Sequence, residues 1–119
     1  PKANMLRSAA MLAMKMNNSA VLVFTRSGDL AAKLGALRPN GAPLFAFTDV
    51  DGLHRRLRLI WGIEPFLMNF SENPELTIKN AIQKLKHEEW VESGDQLVTV
   101  TNVFAGGKVV ESIQLREVD

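Results

Sequence analysis

Cysteine is absent from the 119 residues, which removes disulfides, zinc–thiolate sites, iron–sulfur clusters and thiol catalysis together. An excess of charge of either sign is missing as well. Fourteen Lys and Arg stand against 13 Asp and Glu, for a formal net charge of +1, so the whole-molecule field recommends neither nucleic acid nor an acidic surface as a partner. Long apolar runs are lacking too: the best, 19–25 and 43–48, fall far short of the roughly 20 residues of a membrane helix. No low-complexity tract or internal repeat occurs. No charged-then-apolar leader precedes Pro1, so a secretory signal is not expected, and that start fits either a removed initiator Met or an excised piece. The expectation is a cytoplasmic chain with no nucleic acid and no membrane among its partners.

What is present is the balance of an ordinary globular protein, 46% hydrophobic and 23% charged, in a length that fits one domain spanning 1–119. Met5, Leu6, Ala9, Leu12 and Met16 recur at helical spacing and predict a first helix over 4–16. Ser19 to Phe24 is a continuous apolar run, the pattern of a strand covered on both faces. A second helix follows from Ser27 through Leu37, and Leu44 to Thr48 repeats the buried-strand pattern. Asp49 or Asp51 is placed to cap a third helix carrying Leu53, Leu57, Leu59 and Ile60, closed by Gly62. Pro65 to Phe70 reads as a third strand, and a long helix runs from about Glu75 to Val91. Two β-rich runs, Gln96 to Val103 and Val109 to Val118, are close enough to pair as an antiparallel hairpin. Alternation of strand and helix predicts parallel βαβ units with helices on both faces, a three-layer α/β/α sandwich. The last strand mixes Glu111, Gln114, Arg116 and Glu117 with Val110, Ile113, Leu115 and Val118, as a half-wet edge strand does.

The bend Thr25-Arg26-Ser27-Gly28 joins a buried strand to a helix amino terminus, where unpaired N–H groups and the positive dipole end favour an anion. Thr25 and Ser27 add hydroxyl donors, Arg26 a charge-assisted one, and Gly28 lets the backbone approach a phosphate. The plainer reading stays open: Ser27 caps the helix and Arg26 lies solvated. Other constellations are weaker. Ser27, His54 and Asp49 or Asp51 supply the residue types of a hydrolase triad without a nucleophile elbow. His54-Arg55-Arg56-Leu57-Arg58 and the segment around His87 read as solvated helix faces, and no spacing makes the two histidines a metal site. The methionines of the first helix, with Trp61 and Trp90, read as packing or interface residues. Gly106-Gly107 reads as a turn, since no P-loop pattern accompanies it.

Three stretches resemble the carboxy-terminal domain of pyruvate kinases. They are Val21-Leu22-Val23-Phe24-Thr25-Arg26-Ser27-Gly28, then Leu37-Arg38-Pro39 with Ala42-Pro43-Leu44-Phe45-Ala46-Phe47-Thr48, and Arg55-Arg56-Leu57-Arg58-Leu59-Ile60-Trp61-Gly62-Ile63-Glu64-Pro65, with its tryptophan-glycine-x-x-proline ending. Gly94-Asp95 before the fourth strand extends the likeness over nearly the whole chain. The resemblance implies a five-stranded mixed sheet of order 3-2-1-4-5 with strand 5 antiparallel. It also implies that phosphoryl transfer from phosphoenolpyruvate to ADP, with its Mg2+ and K+, belongs to a catalytic barrel domain absent from this chain. The chain itself is therefore expected to carry no catalytic residue and no cofactor, and to be inactive alone.

By the same resemblance, Thr25, Arg26, Ser27 and Gly28 are candidate effector phosphate-binding residues. Lys108 joins them from the connection between the last two strands, which closes over the effector in regulated relatives. Asp29 and Leu30 depart from the basic or small residue and the hydroxyl residue that effector-binding members often carry, and a carboxylate in the first turn satisfies the dipole that a phosphate would use. Val110-Glu111-Ser112 replaces the usual threonine-asparagine-threonine. The expectation is a weakened, altered or lost site for a phosphorylated small molecule. Expected partners are the chain's own barrel and further copies of itself, through Glu111 to Val118. The rival expectation is a freestanding module or small enzyme that uses the same bend on its own phosphorylated ligand.

Overall fold

A computed structural model describes residues 19–26, 31–32, 43–60, 62–105 and 108–119, with the backbone alone at 19, 102–105 and 108–112. The helix expected over 4–16, most of the one expected from Ser27 to Leu37, and Trp61 lie outside the described residues. Five strands, β1 (Ser19–Phe24), β2 (Leu44–Thr48), β3 (Ile63–Leu67), β4 (Gln96–Ala105) and β5 (Lys108–Glu117), form one sheet of order β3-β2-β1-β4-β5. The first four are parallel and β5 runs antiparallel to β4. This is the order and direction expected.

Helices α1 (Asp51–Leu57) and α2 (Pro74–His87) lie on opposite faces. The chain steps outward from β1 to β2 to β3 and then returns past both to β4. Right-handed crossovers in opposite directions must place their helices on opposite sides of the sheet. Strand alternation divides the core accordingly. Val21, Val23, Leu44, Ala46, Val98 and Val100 face Leu53 and Leu57 of α1, with Ala31 of a helical pair at 31–32 joining them. Leu22, Phe24, Phe45, Phe47 and Leu97 face Ile78, Ala81 and Leu85 of α2. β1 and β2 are buried from both sides, which is why their sequences are unbroken apolar runs.

Element ends differ from the sequence expectation in four places. The residue capping α1 is Val50, which makes no side-chain cap, while Asp51 is the first helical residue and pairs with Arg55. That helix stops at Leu57. Leu59, assigned to its apolar face, is 86% exposed, and Gly62, at φ 87°, turns the chain into β3 instead of closing the helix. β3 begins at Ile63, two residues before the expected Pro65, because on an edge strand only Ile63 and Phe66 are buried and the run is not continuously apolar.

The second helix, α2, ends at His87, short of Val91. Glu89 has φ 65°, Trp90 N–H reaches Leu85 O at 2.9 Å, and Glu89 N–H reaches Lys86 O at 3.1 Å. These two bonds make a Schellman ending with glutamate where glycine is usual. On β5, Ile113 packs on the α1 side, whereas Leu115 is exposed and Val118 belongs to the α2-side core. The apolar set expected to share one side is therefore split.

Candidate functional site

Parallel strands deliver their carboxyl ends to one rim of the sheet, where ligands of open α/β sheets bind. Two of those ends repeat a short pattern: Phe24-Thr25-Arg26 after β1 and Phe47-Thr48-Asp49 after β2. Phe24 and Phe47 are register partners, so Arg26 and Asp49, two residues further along each chain, come out side by side. Thr25 is buried and its N–H donates to Phe47 O at 2.9 Å, carrying the pairing past the strand ends.

The guanidinium and carboxylate meet along one edge. Arg26 Nε lies 3.1 Å from Asp49 Oδ1 and 3.2 Å from Oδ2, and Nη2 lies 2.9 Å from Oδ2. Hydrogen bonds from Asp49 are the main cause that raises the Arg26 pKa above its ordinary value; slight burial opposes them and Coulombic attraction to Asp49 adds to them. Below the guanidinium, Phe70, just past β3, places its ring centroid 5.5 Å from Arg26 Cζ and meets Phe24 edge-on at 5.9 Å. Asp49 is itself held. The buried Thr48 accepts the Val50 N–H on Oγ1 at 3.1 Å, and its carbonyl accepts the Met68 N–H at 2.9 Å. The side chain of Asp49 is 22% exposed and that of Arg26 67%.

The neighbouring wall of this rim is the β4–β5 hairpin. Val23 pairs with Val100, which sets Phe24 level with Thr101, and β4 continues through Ala105. Four further residues project the hairpin by about 13 Å. Ala105 pairs with Lys108 at its tip, so Lys108 shares the rim with Thr25 and Arg26. The side chain of Lys108, and Ser27, Gly28 and Asp29, lie outside the described residues.

Arg26 is thus ion-paired, a correction to the plainer expectation of a solvated side chain. Asp49, read from sequence as a helix cap or triad member, is its partner. Phe70 was missed as its platform. The repeated Phe-Thr-charged pattern was the available signal, but its meaning depends on strand register. Among the described residues no group of three His, Cys, Asp or Glu gathers as for a metal, and no helix is long and apolar enough to cross a membrane.

The family pattern described as pyruvate kinase, alpha/beta domain, matches residues 3–110. The chain belongs to this family. Chloroplastic pyruvate kinase isozyme A from Nicotiana tabacum is 34% identical over 103 residues, covering 87% of this chain and 17% of that protein. The Ricinus communis isozyme A is 33% identical over 103 residues, with 87% and 18% covered. The chain therefore spans about a sixth of the length of these pyruvate kinases. Among solved structures, a Cryptosporidium parvum pyruvate kinase in complex with ADP superposes with a TM-score of 0.87 at 22% identity, covering 99% of this chain and 24% of that one. That likeness establishes the pyruvate kinase alpha/beta fold.

Proposed function

We propose that this chain is the regulatory and subunit-association domain of a pyruvate kinase, and that it acts by biasing the orientation of a separate catalytic barrel through ligand and subunit contacts. The observation that carries the reading is the family match over residues 3–110 in a chain that spans 17% of a whole relative. In the complete protein the barrel transfers the phosphoryl group of phosphoenolpyruvate to ADP, giving pyruvate and ATP, and holds the Mg2+ and K+ that the reaction uses. Thr25, Arg26, Ser27 and Gly28, with Lys108 from the facing hairpin, form a weakened site for a sugar phosphate or nucleotide. Self-association runs through the edge strand: β5 has neighbours on one side only, so Glu111 to Val118 offers unpaired backbone groups to a second copy. The working compartment is the cytoplasm; the chloroplastic relatives bring the plastid as its counterpart.

Calorimetric titration of the chain with fructose 1,6-bisphosphate, ribose 5-phosphate, glucose 6-phosphate and AMP tests the site, and a saturable heat from at least one is expected. Absence of saturation with all four refutes the effector role. A coupled assay for pyruvate on the chain alone is expected to stay at background, and turnover of phosphoenolpyruvate would overturn the regulatory reading in favour of a small enzyme.

A further inference from the structure

The Arg26–Asp49 contact occupies the cation that the proposed effector site would present to a phosphate. A guanidinium offers five N–H donors in a planar fork, and its Nε–Nη2 edge matches a carboxylate or a phosphate equally well. Asp49 holds that edge from both oxygens. A phosphate arriving there meets a cation already neutralised and a carboxylate that repels it.

The two partners are unequally fixed. Asp49 is largely covered, and the Thr48 hydrogen bonds to Val50 and Met68 hold the backbone before it. The side chain of Arg26 is 67% exposed and is held by the carboxylate and the Phe70 ring alone among the described residues. When an anion competes, Arg26 is the group that moves and Asp49 the group that stays. Three successive strand ends, those of β1, β2 and β3, supply Arg26, Asp49 and Phe70, so the contact belongs to the sheet and not to one flexible loop.

We infer that Asp49 is a built-in competitor of the phosphorylated ligand: its carboxylate holds Arg26 while the site is empty, and the ligand must take Arg26 from it. This rests on the proposed effector role of the bend at Thr25 to Gly28. The competition makes the site weak by construction and sets a threshold that only a multiply charged phosphate ligand crosses readily.

The test is calorimetric titration of the full 119-residue chain and its Asp49→Asn, Arg26→Ala and double variants with fructose 1,6-bisphosphate and inorganic phosphate, at one low ionic strength. Asp49→Asn is expected to tighten fructose 1,6-bisphosphate by about fivefold, the factor to which the ~1 kcal/mol of a well-formed exposed ion pair converts. The gain should vanish when Arg26 is also Ala. Unchanged or weaker binding by Asp49→Asn overturns the inference and leaves the effector reading standing, because Asp49 then serves only to orient Arg26. An equal gain in the Arg26→Ala background also overturns it, since plain removal of charge would explain the result. Binding by none of the four chains overturns both readings. The unsubstituted chain gives an independent measurement: saturation with fructose 1,6-bisphosphate should shift the Asp49 carboxylate carbon and the Arg26 Nε–H resonances together, and a stationary Asp49 carbon at saturation refutes the competition.

Discussion

Replacing Phe47 with alanine removes the ring at the centre of the α2-side core. Phe47 is 0% exposed, on a strand with neighbours on both sides, stacked on Phe66 at 4.9 Å and 15° and lying 5.6 Å from Phe24. Buried Phe→Ala changes cost about 3–5 kcal/mol, combining lost transfer energy with the cavity left behind. Two aromatic partners lose their contact and the flanking strands cannot close inward, so the upper half of that range, ~4 kcal/mol, is expected here. A domain of this size holds roughly 6–18 kcal/mol in total. The variant therefore folds but with much of its margin gone, and melts about 12–20 °C lower. Urea unfolding followed by circular dichroism and tryptophan emission measures the change. Trp90 reports directly, since it meets Phe45 at 5.8 Å and Phe66 at 6.0 Å. The slope against urea should be unchanged, because the same surface is exposed on unfolding. A loss below about 1 kcal/mol would refute the reasoning, since a stacked and fully enclosed ring cannot be deleted that cheaply. Phe47 also accepts the Thr25 N–H, so the same variant should loosen the rim and weaken any phosphate binding there.

Two further outcomes follow from the ends of α2. Glu89 occupies the left-handed position of the Schellman ending at φ 65°, so Glu89→Gly should stabilise the chain by about 0.5–1 kcal/mol, read from the urea midpoint. At the other end, Arg116 on β5 binds Glu75 with Nη1 at 2.8 Å and Nη2 at 2.5 Å, and these hydrogen bonds are the main cause holding the Glu75 carboxyl below its ordinary value. A carboxyl depressed in the folded state contributes stability above its unfolded pKa and loses it as pH falls through the folded one. Acidification from near 4.5 downward should therefore destabilise the chain along a steeper curve than it does Arg116→Ala or Glu75→Gln, and identical curves would show that the pair adds nothing.

Much of the fold was legible because burial leaves a local trace. Ser19–Phe24 and Leu44–Thr48 came out with the expected ends, since a strand covered on both faces must be apolar at every position. The edge strand β3 left a weaker trace, with Glu64 and Leu67 exposed, and its start was misplaced by two residues. The α2 ending was missed for a different reason: the residue taking the left-handed turn is a glutamate, and no glycine marks it.

Composition and periodicity alone determined that the chain is a single α/β unit with alternating strands and helices, and motif spacing pointed to its family. Those properties follow from what each segment must bury and are written within a few residues of one another. Strand register, and with it the site, was decided by the tertiary structure. Arg26 and Asp49 lie 23 positions apart, and each reads locally as an ordinary charged residue after a strand. Only the in-phase pairing of Phe24 with Phe47 brings the two together, because register is set by how both faces of the sheet pack at once and by no single segment.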